Sequence, residues 1–192
     1  MPTADWLRDR FAAGAAAGQN LDAGYVRSNA VPASVLIPLV LRSTGITVLL
    51  TQRTAHLNDH AGQVSFPGGR REESDTGQVA TALREAHEEV GLDSAQVEVI
   101  GVLPEFWTSS GFRIAPVVGL VTPPLNLKLD DFEVADVFEP PLAFFLDRAN
   151  WKRHSIKRGE QWREYWALPW QGRYIWGATA GIIVNLQRFL LG

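Results

Sequence analysis

The chain has 192 residues, 46% of them hydrophobic and 20% charged, which is the composition of a soluble globular domain with room for a sizeable core. A net charge of -3 gives no broad nucleic-acid footprint, and the absence of cysteine removes disulfides, thiolate metal sites and a cysteine nucleophile. No apolar run is long enough to span a membrane, and Asp5, Arg8, Asp9 and Arg10 interrupt any signal-peptide pattern, so a cytoplasmic location is expected.

In chain order, residues 3–17 read as a helix, with Trp6, Leu7 and Phe11 set among charges and alanine-rich sequence after them. "GQNLDAG" is a loop. "ASVLIPLVLR" and "ITVLLTQR" flank "STG" as a hairpin, with Pro38 calling for an edge or a bulge in the first strand. "HLNDHAGQVS" reads mostly as loop, and a helix follows over 76–90. "VEVIGVLP" and "IAPVVGLV" are strands, and the proline-rich, acidic "TPPLNLKLDD" is a loop. "PPLAFFLDRAN" suits a short helix that starts on a proline. "WKRHSIK" and "WREYWAL" form a strand pair around Gly159, and "ATAGIIVNLQRFLL" ends the chain at helical spacing. Residues 1–30 form an N-terminal helix and loop appended to a domain over 31–192, and the whole is α/β (α+β) with a largely antiparallel or mixed sheet.

The chemistry concentrates in "FPGGRREESDTGQVATALREAHEEVGL". Val79, Leu83, Ala86 and Val90 make one apolar stripe of the helix. Glu85, Glu88 and Glu89 share a face beside that stripe. Gly91 suits the left-handed residue that ends a helix, and Ser74, Asp75 or Thr76 can cap its start. Like charges at this spacing cost a few tenths of a kcal/mol per pair, and acids near a helix C-terminus oppose the macrodipole. Arg84 offsets part of this by pairing with Glu88. Taken alone, the acids read as a solvated face. With two glycines just upstream that let backbone approach a ligand, they read as a metal–phosphate site, since a hard divalent cation favours carboxylates and phosphates. His87 does not begin a zinc HExxH motif, because position 91 is Gly. "GGRREES" lacks the end of a Walker loop, and "SSGFR" is not a nucleophile elbow.

These residues resemble the Nudix family. The second half of its box is complete from Arg84 to Leu92, with Arg84-Glu85, then Glu88-Glu89, then Gly91. The first half is out of register. Counting back from Arg84 puts Thr76 at the glutamate position and Arg70 at the glycine. Starting from Gly69 instead puts Asp75 at the acid position, with one extra residue before Arg84. Glu72, Glu73 and Asp75 all remain candidates for the early acid. This departure resembles the coenzyme A pyrophosphatase branch. So does the upstream pair "LLTQR", Leu49 to Arg53, and "GQVSFPGG", Gly62 to Gly69, although Asn58 stands where that branch usually has an arginine. "VIGVLP", "PVVG", "EVADVFEPPL" and "WGATAGII" extend the likeness over most of 33–187.

The resemblance implies a Nudix-type α/β/α sandwich with a mixed sheet. It implies hydrolysis of the pyrophosphate of coenzyme A, or an acyl or oxidised derivative, to 3′,5′-ADP and 4′-phosphopantetheine, with Mg²⁺ or Mn²⁺ as cofactor. It gives Glu85 and Glu89 as metal ligands, Glu88 as a ligand or bridged through water, and the Gly69 carbonyl as a further ligand. Arg84 orients the glutamates. Glu88 and Glu133 are the two candidates for general base. Arg53, Phe66, Gly68 and Gly69 are candidates for contact with substrate. Lys152, Arg153, Lys157 and Arg158 could attract a 3′-phosphate, although a solvated basic hairpin is the simpler reading. Phe66, Trp107 and Trp176 either stack on adenine or pack the core, with core favoured for Trp176. The partner is a small molecule, with no nucleic acid and no membrane, and a homodimer is left open. A Nudix enzyme for NADH or ADP-ribose and a non-catalytic Nudix module are the alternatives.

Overall fold

A computed structural model describes residues 2–14, 28–56, 61–158 and 161–192. The "GQNLDAG" loop, residues 15–17 of the first expected helix, Asn58, the turn at Gly159 and the side chain of Arg158 lie outside the described residues. The elements run in the order α1 Ala4–Ala12, β1 Val31–Arg42, β2 Gly45–Val48, β3 Leu50–Arg53, β4 Val64–Ser65 and β5 Gly68–Arg70. Then come α2 Gln78–Val90, β6 Val97–Val102, β7 Phe106–Trp107, β8 Phe112–Val121, β9 Val134–Phe138 and α3 Leu142–Leu146. The chain ends with β10 Lys152–Arg158, β11 Gln161–Trp170, β12 Arg173–Trp176 and α4 Gly177–Leu191.

β1 is the spine of a mixed sheet. It runs parallel to β8 from Val31↔Phe112 to Val40↔Val121, and antiparallel to β5 and then β2 on its other side. β6 and β7 pair antiparallel with β8. Two smaller sheets, β4-β3-β9 and β10-β11-β12, complete the fold. A strand covered on both faces reads as a near-continuous apolar run, and β1 shows why. Ile37 and Leu39 enter one core cluster, while Leu36 and Val40 enter the other. α2 closes the second cluster with Ala82, Ala86 and Val90. Leu7 of α1, Phe145 of α3 and Ile182, Ile183, Leu186 and Leu190 of α4 close the first. α1 is therefore packed into the body of the molecule. Its Leu7 is fully buried, its Phe11 ring lies 4.3 Å from that of Phe189, and Arg8 pairs with Glu98 of β6.

Three expectations change. Pro38 sits in a central strand, not at an edge. It falls where the partner of β1 switches from β5 to β2, and its carbonyl accepts from Leu49 N–H at 3.0 Å. A residue without an N–H costs least at such a break in the ladder. The "ITVLLTQR" run divides at Leu49: β2 completes the hairpin with β1, and β3 joins β9 and β4 in another sheet. The helix expected over 76–90 begins at Gln78 after Gly77, and no side chain caps it. Among the described residues no helix is long and apolar enough to cross a membrane.

Candidate active site

α2 turns its acids to different degrees of exposure. Glu89 is buried at 6% exposure, Glu85 is half-buried and Glu88 is exposed. The helix ends at Gly91, whose φ of 67° is the left-handed conformation expected there. Ala86 and Val90 fix the rotation by packing onto the sheet, which carries Glu85 and Glu89 to the edge of the core beside β5. Here Gly69 is needed for space. A Cβ on it would lie 2.5 Å from Glu85 Oε1, so the Glu85 carboxylate rests directly against the β5 backbone.

Two arginines enter this acidic face from opposite sides. Arg84 donates from Nε and Nη2 to the two oxygens of Asp75, each at 3.0 Å, and from Nη2 to the Arg70 carbonyl at 3.0 Å. Its Nη1 reaches Glu88 at 2.8 Å and Glu85 at 3.0 Å. Arg53, at the end of β3, lies 3.6 Å from Glu89 and 3.3 Å from Glu133. Glu133 is held there because Thr54 N–H donates to its carbonyl at 3.0 Å. The Gly68 N–H donates to Glu89 Oε2 at 3.2 Å. The structure thus gathers Arg53, Gly68, Gly69, Arg84, Glu85, Glu88, Glu89 and Glu133 in one region.

Asp75 is the early acid that meets Arg84. It is 7% exposed and also accepts from the Glu72 N–H at 2.9 Å and the Thr81 hydroxyl at 3.0 Å. Glu72 stands 3.9 Å from Arg84 with a side chain 62% exposed, and Glu73 is exposed. Hydrogen bonds from Arg84 above all, then from the Glu72 amide, hold the Asp75 carboxyl well below its ordinary range.

The α2 acids are perturbed the other way. Burial pushes Glu89 up to about 8, against the Gly68 N–H and Arg53, and the charges of Glu85 and Glu133 add to the rise. Burial also raises Glu85, with Arg84 opposing and Glu88 and Glu133 contributing. Among the described residues no three acidic or histidine side chains already enclose a metal position, because arginines and an amide engage the carboxylates instead. The donor set nevertheless fits a hard divalent cation. It is all oxygen, it is partly buried, and its carboxyls are pushed toward the neutral form by burial first and by neighbouring acids second, both of which a cation offsets.

Other candidates fall elsewhere. Phe66 is 2% exposed inside the first core cluster, so its ring has no face for a base and the expected substrate contact does not stand. Trp107 is half-buried beneath Arg113, and Trp176 is half-buried with its ring 5.7 Å from that of Tyr165. Lys152, Arg153 and Lys157 are exposed along β10, where Arg153 pairs with Glu164. One feature beside the site was missed in the sequence. Phe132, next to Glu133, is 64% exposed and packs on His56 at 5.0 Å. An apolar residue between Asp131 and Glu133 was the available signal.

The NUDIX domain model matches residues 31–159. "Uncharacterized Nudix hydrolase NudL" of Escherichia coli O6:H1 is 45% identical over 154 residues, which is 80% of this chain and 80% of that protein. The protein of the same name from Citrobacter koseri is 46% identical with the same coverage. Among solved structures, the Nudix hydrolase RenU of M. Smegmatis superposes with a TM-score of 0.51 at 24% identity, over 59% of this chain and 71% of its own, a likeness of fold. The domain match spans most of the chain, and it includes the β5–α2 segment that carries the acids and the arginine that binds them. On that match and these relatives, the chain belongs to the Nudix hydrolase family.

Proposed function

We propose that the protein is a divalent-metal-dependent pyrophosphohydrolase that cleaves coenzyme A, or a close acyl or oxidised derivative, to 3′,5′-ADP and 4′-phosphopantetheine. The observation that carries this reading is a convergence. Arg53 of "LLTQR" and the Gly68 amide of "FPGG", the two signature segments of the coenzyme A branch, both reach Glu89.

Glu85, Glu89 and the Gly69 carbonyl would hold Mg²⁺ or Mn²⁺, with Glu88 as a further ligand or bridged through water. The metal supplies neutralisation of the diphosphate and a more acidic water. The chain's own groups do the rest. Arg84, fixed by Asp75, holds the Glu85 and Glu88 carboxylates in place. Arg53 offers positive charge to a phosphate beside the buried Glu89. Glu133 or Glu88 accepts the proton of the attacking water; their side chains are 42% and 56% exposed, open enough to meet a water. The new O–P bond forms as the bridging P–O bond breaks, and the departing phosphate monoester takes the electron pair.

The test is a substrate panel with Mg²⁺ or Mn²⁺: coenzyme A, acyl-coenzyme A, 3′-dephospho-coenzyme A, NADH and ADP-ribose. The expected result is the highest kcat/KM on coenzyme A or its acyl form, with a drop when the 3′-phosphate is removed. A preference for NADH or ADP-ribose overturns the substrate assignment, and no turnover of any member overturns the enzyme reading.

A further inference from the structure

The loop that joins β8 to β9 is strapped across the end of α2. Its Leu125, Leu127 and Leu129 pack against the second core cluster, and the N–H groups of Lys128 and Asp130 donate to the carbonyls of Val90 and Glu89 at 3.0 and 2.9 Å. Carbonyls in the last turn of a helix have no partner within it, so the loop satisfies two of them. The strap therefore starts on the peptide of Glu89 and ends at Glu133. We propose that Thr54 and Asp130 are positioning residues for hydrolysis: they hold the two peptide groups that flank Glu133 and so fix its carboxylate relative to Glu89 and Arg53.

All four polar atoms of those two peptide groups are bonded to the same two residues. The Asp130 carbonyl accepts from the N–H groups of Glu133 at 3.0 Å and Val134 at 2.8 Å. Thr54 donates its N–H to the Glu133 carbonyl at 3.0 Å and its hydroxyl to the Phe132 carbonyl at 2.7 Å. Asp130 Oδ1 also accepts from the Phe132 N–H at 2.8 Å, which closes the turn before Glu133. Thr54 is 7% exposed and directly follows Arg53, so one buried residue sets the place of both the arginine and the acid that lies 3.3 Å from it. The pairing of β3 with β9 is irregular at the same point. Gln52 faces Asp136 but Arg53 faces Val134, which leaves Ala135 as an extra residue in β9. A bulge of this kind re-aims the side chains beside it. A turn closes on a single hydrogen bond, whereas here the backbone on both sides of Glu133 is fixed and only its side-chain torsions stay free. Reacting groups need such constraint, because misplacement by about 1 Å costs about 100-fold in rate.

Both roles presuppose the hydrolysis proposed above, with Glu133 as the proton acceptor. The test is steady-state kinetics of the full chain with Mg²⁺, on whichever member of the substrate panel turns over fastest. Thr54→Val and Asp130→Ala each remove one side-chain hydrogen bond of the frame. Each is expected to lower kcat about 10- to 100-fold with KM changed less than about 2-fold, since the metal ligands and Arg53 keep their own contacts. Thr54→Ser and Asp130→Asn retain a hydroxyl and an Oδ1 acceptor and are expected to restore kcat to within about 3-fold of wild type. The deciding measurement is the double variant. In a Glu133→Gln background, Thr54→Val and Asp130→Ala should cost less than about 2-fold more, because residues that act through Glu133 have nothing left to position. A general loss of structure would instead multiply the two effects. Thermal unfolding checks that each variant is folded, and Asp130→Ala, at an exposed position, carries the test if Thr54→Val does not fold. The proposal is overturned if the folded single variants keep wild-type kcat, if the losses multiply in the Glu133→Gln background, or if Glu133→Gln itself turns over as wild type does. That last result leaves the hydrolase reading intact with Glu88 as proton acceptor, and a preferred substrate other than coenzyme A revises the substrate assignment without altering this test.

Discussion

Replacing Asp75 with Asn keeps the shape of a buried residue and removes its charge. Asp75 takes both Arg84 Nε and Nη2 at 3.0 Å, so the amide of the variant must point its NH₂ at one guanidinium N–H. Losing one charge-assisted hydrogen bond and weakening the other costs about 2–3 kcal/mol. Arg84 keeps Glu88 at 2.8 Å and Glu85 at 3.0 Å, so the loss stays below that of a fully broken buried pair, about 3–5 kcal/mol. At this chain length that corresponds to a fall in Tm of about 5–10 °C. Thermal and urea unfolding in EDTA at pH 7 measure it. The pH dependence carries a sign. The folded Asp75 carboxyl lies below its unfolded value, so its contribution is complete above about pH 4 and is lost as pH falls further, at about 1.4 kcal/mol per unit. The gap between wild type and Asp75→Asn therefore narrows by about 1 kcal/mol on going to pH 3. Glu72→Gln, at an exposed position 3.9 Å from Arg84, changes stability by less than about 0.5 kcal/mol. The reasoning fails if Asp75→Asn is as stable as wild type, if the gap widens in acid, or if Glu72→Gln matches it.

Two further variants concern the carboxylates themselves. Glu89→Gln abolishes Mg²⁺-dependent hydrolysis, and full activity in that variant would remove Glu89 from the metal set. Without metal the variant is the more stable form at pH 8. The folded wild type holds a Glu89 proton up to about pH 8 that the unfolded chain releases near its ordinary value, so wild-type stability falls across that interval and the variant escapes the fall. Differential scanning calorimetry in EDTA at pH 4 and pH 8 reads this, and a variant less stable than wild type at pH 8 contradicts it. Gly69→Ala drives its Cβ against the tip of Glu85, with Cδ and Oε2 at 2.6 Å as well as Oε1 at 2.5 Å. The flexible acid swings away, and displacement of about 1 Å lowers kcat/KM about 100-fold while the fold persists. Wild-type kinetics in a folded Gly69→Ala protein would show that Glu85 does not need that backbone.

Periodicity made α2, β1, β8 and α4 legible, because each buries a long apolar face. The Arg84-to-Gly91 half of the box was equally plain, since its spacing is set by the helix itself. The early acid was not. Glu72, Glu73 and Asp75 lie in a loop whose path no period fixes, and only the contact with Arg84 separates them. The cap was misplaced because the helix begins at Gln78 and its cap position falls on Gly77, which has no side chain. β4, β5 and β7 are two or three residues long, too short to show alternation. Phe66 was left between stacking on a base and packing the core, because its short segment has no period that assigns a face, and the strands on either side draw its ring into the core.

The arrangement also explains how α2 tolerates what its own helix chemistry disfavours. Glu85, Glu88 and Glu89 crowd the end of a helix where the dipole repels them. Arg84 from within the helix and Arg53 from β3 each span two of the site's acids, and the Gly68 amide adds a hydrogen bond from the backbone. These acids are thereby held by positive groups already built into the chain. Arg84 is tied to Asp75 and to the Arg70 carbonyl, so it stays in place whether or not Glu85 and Glu88 turn toward a ligand. Among the described residues the Arg53 guanidinium pairs with Glu89 and Glu133, both acids of the site itself. Of the two arginines, Arg84 is thus tied to the loop and backbone before α2, while Arg53 bridges a helix acid and a loop acid across the site.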